Sequence, residues 1–473
     1  MFDDARKRWW ALYVLCSGVL MIVLDTTIVN VALPSIREDL QFSETSLVWV
    51  VNAYMLTFGG FLLLGGRLGD LFGHRRLFLL GLILFTIASV GCGLATSRAM
   101  LITARAVQGL GGAVVTAVAL SLIMNLFTEN AERAKAMGIY GFVCSAGGSV
   151  GVLLGGFLTT TLNWHWIFLV NVPIGVLVYV FCMRLLPNAR GANTGAKLDV
   201  AGAITVTSAL MLAVYAIVNG HEVGFTSTQT LLTLGGAIVL LASFLIIESR
   251  VRDPLMPLAL FKLRNVAVAN VAGVLWAAAM FAWFFISALY LQLVLGYNAM
   301  EVGLSFLPAN LIMAAFSLGL SAKIVVRFGI RGPLAFGLLC AACGLALFAR
   351  APIDGSFWMD VFPGMTLLGI GAGIAFNPLL LGAMSDVSPS ESGLASGVVN
   401  TAFMMGGALG LAVLASLAAA RTDSQLAAGL SAVASLNGGY RLAFIAGAAC
   451  AATAGILGGV FMRTRGAPVP AAH

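Results

Sequence analysis

Fourteen apolar segments follow one another along this chain and restrict what it can fold into. They fall at about 9–33, 47–66, 77–96, 99–125, 134–159, 165–186, 199–219, 230–249, 265–295, 300–322, 333–349, 358–384, 392–420 and 440–462. A helix rising about 1.5 Å per residue needs roughly 20 apolar residues to cross a bilayer. Backbone in lipid must satisfy its own hydrogen bonds, so only helices and closed barrels span it. A barrel would show segments of about 10 residues alternating with period 2. The runs here are longer and continuous, so the chain reads as an all-α polytopic membrane protein. Only 10% of the 473 residues are charged and mean hydropathy is +1.00, against about 25% charged in soluble domains. The 55 glycines suit helices packed closely in lipid.

The N-terminus, MFDDARKRWW, leads into the first apolar run. That run is too long for the h-region of a signal peptide, so it reads as an uncleaved first span. Fourteen spans put both termini on one side. With the termini cytoplasmic, the outer loops hold Arg37, Arg98, Arg350, Arg421 and Arg441, Arg105 lies inside a span, and the other 20 basic residues face inward. A missed or extra span in the middle would reverse every later loop and spoil that split. The net charge of +7 therefore sits at helix ends, which argues against a nucleic-acid partner. The inner loop SRVRDPLMPLALFKLRN, residues 249–265, suits either a segment lying along the membrane surface or a plain linker.

Two charges lie inside spans. Asp25 sits in LMIVLDTTIVNVALP and Arg105 in LITARAVQGLGGA. A charge near the bilayer centre costs roughly 2.5 kcal/mol or more, and such residues usually pair or face water. Counted from the outer span ends, Asp25 lies roughly 12 Å deep and Arg105 roughly 9 Å deep. We expect them to face each other directly or through water or Gln108. A guanidinium favours the charged form of a carboxylate and desolvation the neutral form. Alternating access changes the wetting, which gives Asp25 a route for moving a proton. A static ion pair that fixes helix register is the competing reading.

The fifth segment is crowded with glycines: Gly141, Gly147, Gly148, Gly151, Gly155 and Gly156. Gly147, Gly151 and Gly155 share one helical face and allow another helix to approach, either as plain packing or as a sliding surface. The loop GGRLGDLFGHRRL (65–77) has a weaker copy, SAKIVVRFGIRGP (321–333). Phe72-Gly73 aligns with Phe328-Gly329, Arg75 with Arg331, and Asp70 with Val326. Internal repeats are how many transporters are built, with the substrate site between the halves. The expected division is a six-helix bundle in 1–190, two inserted spans and a linker in 191–264, and a second six-helix bundle in 265–473. The loop lacks the Lys-Ser/Thr ending of a phosphate-binding loop. With no nucleotide-binding domain in the chain, the energy is expected to come from a gradient. Among seven cysteines, only Cys340 and Cys343 form a CxxC, with no second pair and no nearby His. Small packing residues are the better reading, and no metal is expected.

These residues resemble the major facilitator superfamily, specifically its fourteen-span drug:proton antiporter family, over nearly the whole chain. LDTTIVNVALP (24–34) resembles the first-span signature and WVVNAYML (49–56) the second. GRLGDLFGHRR (66–76) resembles the superfamily loop motif, with Leu71 where a basic residue is usual. RAVQG (105–109) resembles the fourth-span motif and WHWIFLVNVPIG (164–175) the sixth-span signature, with His165 where Arg is commoner. In the fifth span GVLLGG carries Val152 where the family's antiporter motif has Pro. The resemblance implies the major facilitator fold, two six-helix bundles plus two inserted helices. It implies proton coupling at Asp25, Arg105 and Gln108, and conformational roles for Gly66, Asp70, Gly73, Arg75, Arg76, Gly147, Gly151, Gly155 and Gly156. It further implies protons as coupling ion with no cofactor, no enzymatic activity, a bacterial cytoplasmic membrane, and a monomer.

The middle of the second half carries Phe281, Trp283, Phe284, Phe285, Gln292, Asn310, Asn377, Asn400, Phe403 and Met404. With Asn30, Asn52 and Tyr54 from the first half, these are candidates for a substrate cavity. Most of those aromatics could equally face lipid. An aromatic and amide lining suits a lipophilic, neutral or singly charged compound, and doubly charged cations are expected to be poor substrates. Export of such compounds in exchange for protons is the reading these features favour. A facilitator or symporter for a metabolite and a non-transporting sensor are the alternatives.

Overall fold

The computed structural model describes residues 5–127, 129–186, 199–252, 254–385, 387 and 392–463. The boundary expected near residue 190 lies outside them, as do Asp386 and Glu391 and, within helices, the side chains of Asp70 and Glu222. Among the described residues the chain is helical throughout, with no strand. The helices are α1 (Ala5–Asp39), α2 (Val48–Phe72), α3 (His74–Gly93), α4 (Arg98–Leu126), α5 (Asn130–Thr161), α6 (Trp166–Leu169), α7 (Asn171–Leu185), α8 (Val200–Val223), α9 (Thr228–Arg250), α10 (Arg264–Leu289), α11 (Ala299–Ala315), α12 (Ser321–Phe328), α13 (Arg331–Phe348), α14 (Phe362–Met384), α15 (Ser392–Ala427) and α16 (Ala432–Phe461).

Thirteen of these helical stretches are long and apolar enough to cross a membrane, and α11 is a shorter apolar helix. The span expected at 300–322 is interrupted. A π-turn at Phe316–Leu320 follows α11, and Gly319 adopts φ 118° before α12 resumes. Gly supplies that conformation without a Cβ clash. Helix ends are closed locally. Asp199 accepts from the Gly202 N–H at the start of α8, and Asn298 and Glu301 form a reciprocal capping box on α11. Asp199 and Glu301 are therefore spent on caps.

Helices α2, α3 and α4 pack together, with α5 and α7 against α1; α13 packs against both α14 and α16, and α10 against α15 and α16. The two sets meet along α2–α15 and α5–α11. The pair α8–α9 lies beside this seam, with α8 touching both α2 and α15. The repeat is visible in the backbone: α2 ends at Gly73 with φ 93° and α12 at Gly329 with φ 72°. Just beyond, Arg75 donates to the Met183 carbonyl at the end of α7, and Arg331 donates to the Gly459 carbonyl near the end of α16. Each arginine thus ties the start of one helix to the end of a later one.

The loop between α9 and α10 packs onto protein. Leu255 is buried with Leu64 and Ala203, and Leu260 with Val266 and Val398. A short 3₁₀ turn, Leu258–Lys262, carries the second of these.

Candidate functional site

Asp25, on α1, is fully buried, as are Arg105 and Gln108 one turn apart on α4. Arg105 Nη1 donates to Asp25 Oδ2 at 2.5 Å and to Gln108 Oε1 at 2.6 Å. Gln108 Nε2 donates to Asp25 Oδ1 at 2.7 Å and to Ser89 Oγ at 2.8 Å. Asn171, at the first turn of α7, donates to the same Asp25 oxygen at 3.0 Å. Arg105 Nε donates to the Val50 carbonyl on α2, and its guanidinium lies 4.4 Å from the Tyr54 ring centroid and 5.5 Å from that of Phe168. Five membrane helices thus converge on one carboxylate–guanidinium pair. Charge-assisted bonds to every oxygen of Asp25 offset part of the desolvation that burial imposes.

Close helix approach makes this convergence possible. On α4, Gly109 leaves no room for a Cβ, which would fall 2.3 Å from the Tyr54 carbonyl. On α5, a Cβ at Gly147 would meet Val23 at 2.9 Å, one at Gly151 would meet Thr27 Oγ1 at 2.1 Å, and one at Gly155 would meet the Ile28 carbonyl at 2.7 Å. That face is seated on α1 around Asp25. Gly156 turns the other way, where a Cβ would lie 2.6 Å from the Ala299 carbonyl on α11. Val152 is buried and its carbonyl abuts Gly303 of α11. The helix runs unbroken through Val152, as expected with no Pro to remove a backbone donor. Gly141 and Gly66 have no such crowding: nothing lies within 4 Å at the first, and Ala117 at 3.9 Å at the second. Arg76 is exposed.

The residues considered for a substrate cavity do not form one cluster. Phe403 makes edge contacts with Phe281 and Phe376, while Phe284 stacks on Phe306 beside Trp283. Asn30 and Asn400 bond to carbonyls within their own helices. Asn52 Nδ2 donates to the Ala408 carbonyl on α15 and Gln292 Nε2 to the Val31 carbonyl on α1, so both amides bridge the two helix sets. Asn310 Nδ2 and Trp283 Nε1 are buried without a hydrogen-bond partner, and Asn377 is half-buried.

Sequence reasoning missed Asn171, Ser89 and the Val50 carbonyl as partners of the pair. Asn171 had a signal, being an amide inside the apolar stretch WHWIFLVNVPIG. Ser89 had none, because small hydroxyls are common in membrane helices. Tyr54 lies over Arg105, so its ring belongs to this cluster.

Residues 15–411 match the Major Facilitator Superfamily. A puromycin resistance protein of Streptomyces alboniger is 39% identical over 92% of this chain and 88% of its own length. A cephamycin export protein of Amycolatopsis lactamdurans is 39% identical over 87% of this chain and 85% of its own. The solved structure of the nucleoside transporter NupG superposes with a TM-score of 0.66 at 11% identity, covering 96% of this chain and all of that one, a likeness of fold alone. The chain therefore belongs to the major facilitator superfamily, as a multi-pass membrane transporter and not an enzyme.

Proposed function

We propose that this transporter exports small lipophilic compounds in exchange for protons by alternating access. The observation that carries the reading is the sealed pair of Asp25 and Arg105, a carboxylate with no solvent exposure held by three donors from two other helices, α4 and α7. An ionised carboxylate only accepts hydrogen bonds; once protonated it becomes a donor and cannot keep all three bonds. Proton uptake at Asp25 would therefore loosen α1 from α4 and α7 and bias the helix sets toward a new arrangement. Arg105 stays charged throughout. The similarity to a puromycin resistance protein and a cephamycin export protein supports export. Aromatic pairs around Phe281 and Phe284, with buried unpartnered donors on Trp283 and Asn310, suit a lipophilic compound offering an acceptor.

The distribution of basic residues supports cytoplasmic termini in a bacterial cytoplasmic membrane. We assign α1–α7 and α10–α16 to the two halves, with α8 and α9 as the insert, and a monomer as the working unit. Unbroken α5 at Val152 favours one competing reading, a facilitator without proton coupling.

Dye efflux in inverted vesicles with an imposed pH gradient, comparing wild type with Asp25→Asn, separates the two. Gradient-driven transport that disappears in the variant is the expected result. Equal transport in both, independent of the gradient, would make Asp25 a structural charge and favour the facilitator.

A further inference from the structure

The inserted helices border an open-sided cavity as well as lying beside the seam. A cavity of about 340 Å³ lies between α2, α8, α9, α10 and α15, with the α9–α10 loop as one wall. Its walls are apolar: Leu63 from α2, Val206 from α8, Phe244 from α9, Val274 from α10 and Met256 from the loop. It falls within the size range of small-molecule sites, roughly 300–1,000 Å³. The loop wall is pinned from two sides. Arg67 on α2 donates to the Pro254 carbonyl at 2.8 Å, and the Met256 N–H donates to Glu248 of α9 at 3.1 Å.

Two polar side chains in this lining are more than nine-tenths buried and incompletely satisfied. Asn270 uses its Nδ2 on the Val266 carbonyl, which fixes the amide orientation and leaves Oδ1 without a partner. Thr401 Oγ1 has no partner either. A buried acceptor without a donor is unfavourable, and a ligand that brings the donor relieves it.

We propose that α8, α9 and their loop complete a second binding site, for a single-chain lipophilic molecule with a hydrogen-bond donor at its head, such as a hydroxyl or primary amide. The chain lies along Val206, Phe244 and Val274, and the head donates to Asn270 Oδ1 while its oxygen accepts from the Thr401 hydroxyl. This site is separate from Asp25, and its test needs no pH gradient, so it stands or falls independently of the proton-coupled reading.

The probe is a medium-chain aliphatic alcohol carrying a diazirine, photolysed with the full-length protein in detergent micelles and mapped by peptide mass spectrometry. Labelling on α8 and α15 around Val206 and Ala402 is expected. It should be lost in Val206→Trp and in Ala402→Trp, which fill the cavity from two of its walls; two variants guard against one that misfolds. Thr401→Val should weaken competition by unlabelled alcohol about fivefold, the loss of one ordinary hydrogen bond. Absent labelling, or labelling that both tryptophans leave unchanged, would overturn the proposal. Labelling by a phospholipid with a diazirine on its acyl chain, but not by the alcohol, would also overturn it and make the cavity a seat for bilayer lipid.

Discussion

Asn171 Nδ2 and Asp25 Oδ1 lie 3.0 Å apart, joining the start of α7 to the middle of α1. The same oxygen accepts from Gln108 at 2.7 Å. An amide on a sixth-span helix is therefore part of the same network as the charged pair. Asn171→Ala should lower stability by about 1–3 kcal/mol, the range for leaving a buried polar group short of a partner. In an Asp25→Ala background the same substitution should cost less, with a coupling of about 0.5–3 kcal/mol. Unfolding of the four proteins in micelles measures it. Additive effects would show that the two side chains do not act together.

The seam between α5 and α1 makes a graded set of predictions. Gly151→Val and Gly155→Val place atoms where Thr27 Oγ1 and the Ile28 carbonyl already stand. Each should cost about 1–3 kcal/mol through overpacking and abolish transport. Gly141→Ala meets nothing within 4 Å and Gly148→Ala only Thr27 Cγ2 at 3.9 Å, so both should transport normally. Equal damage at all four positions in a dye-efflux assay would mean that glycine's backbone freedom, not close approach, governs this helix.

The acid Glu44, in the turn between α1 and α2, offers a pH-dependent test. Burial raises its carboxyl above the ordinary value of 4.5, Arg37 opposes that, and Asp423 adds to it while His221 lessens it. Arg37 Nη1 stands 3.4 Å from Glu44, and His221 Nε2 stands 2.9 Å from Asp423 on α15. A carboxyl raised on folding binds its proton more readily in the folded state. Its stability contribution is complete below the unfolded value and is lost as pH rises through the folded one. Glu44→Gln should therefore unfold at a higher temperature than wild type at neutral pH, and the difference should shrink as pH falls toward 4.5. A difference that stays constant with pH would remove Glu44 from the account.

Much of this organisation was legible in the sequence because the bilayer demands it. Long apolar runs could only be spanning helices, and Asp25 and Arg105 could be tolerated only with partners. The repeat was legible through Phe72-Gly73 and Phe328-Gly329, where both glycines take positive φ. The break at Gly319 was not, because a π-turn leaves no mark on an apolar run. The Val50 carbonyl as a partner of Arg105 was hidden, since backbone groups carry no sequence identity. The amides Asn52 and Gln292 read as possible cavity lining, because composition does not distinguish an amide facing a ligand from one facing a carbonyl of another helix. The role of the α9–α10 loop was equally hidden, as its leucines serve either a membrane surface or a protein groove.

Gln292 and Asn52 lead to the last prediction. Gln292 donates to the Val31 carbonyl at 3.0 Å and Asn52 to the Ala408 carbonyl at 2.8 Å, each crossing from one helix set to the other. Alternating access requires such crossings to break on one side of the membrane. Each contributes about 1 kcal/mol as an ordinary hydrogen bond. Gln292→Met keeps the length of the side chain and removes the donor. If the bond holds this arrangement closed, the open-to-closed ratio at that end should rise about fivefold. A spin-label pair on the loops before α2 and after α15 reads that ratio as a longer distance population. Asn52→Leu should act in the same direction. The two together should shift the ratio by roughly the product of the single effects, because their contacts share no atoms. An unchanged distance distribution in both single variants would mean that helix packing alone, through α2–α15 and α5–α11, sets which end is closed.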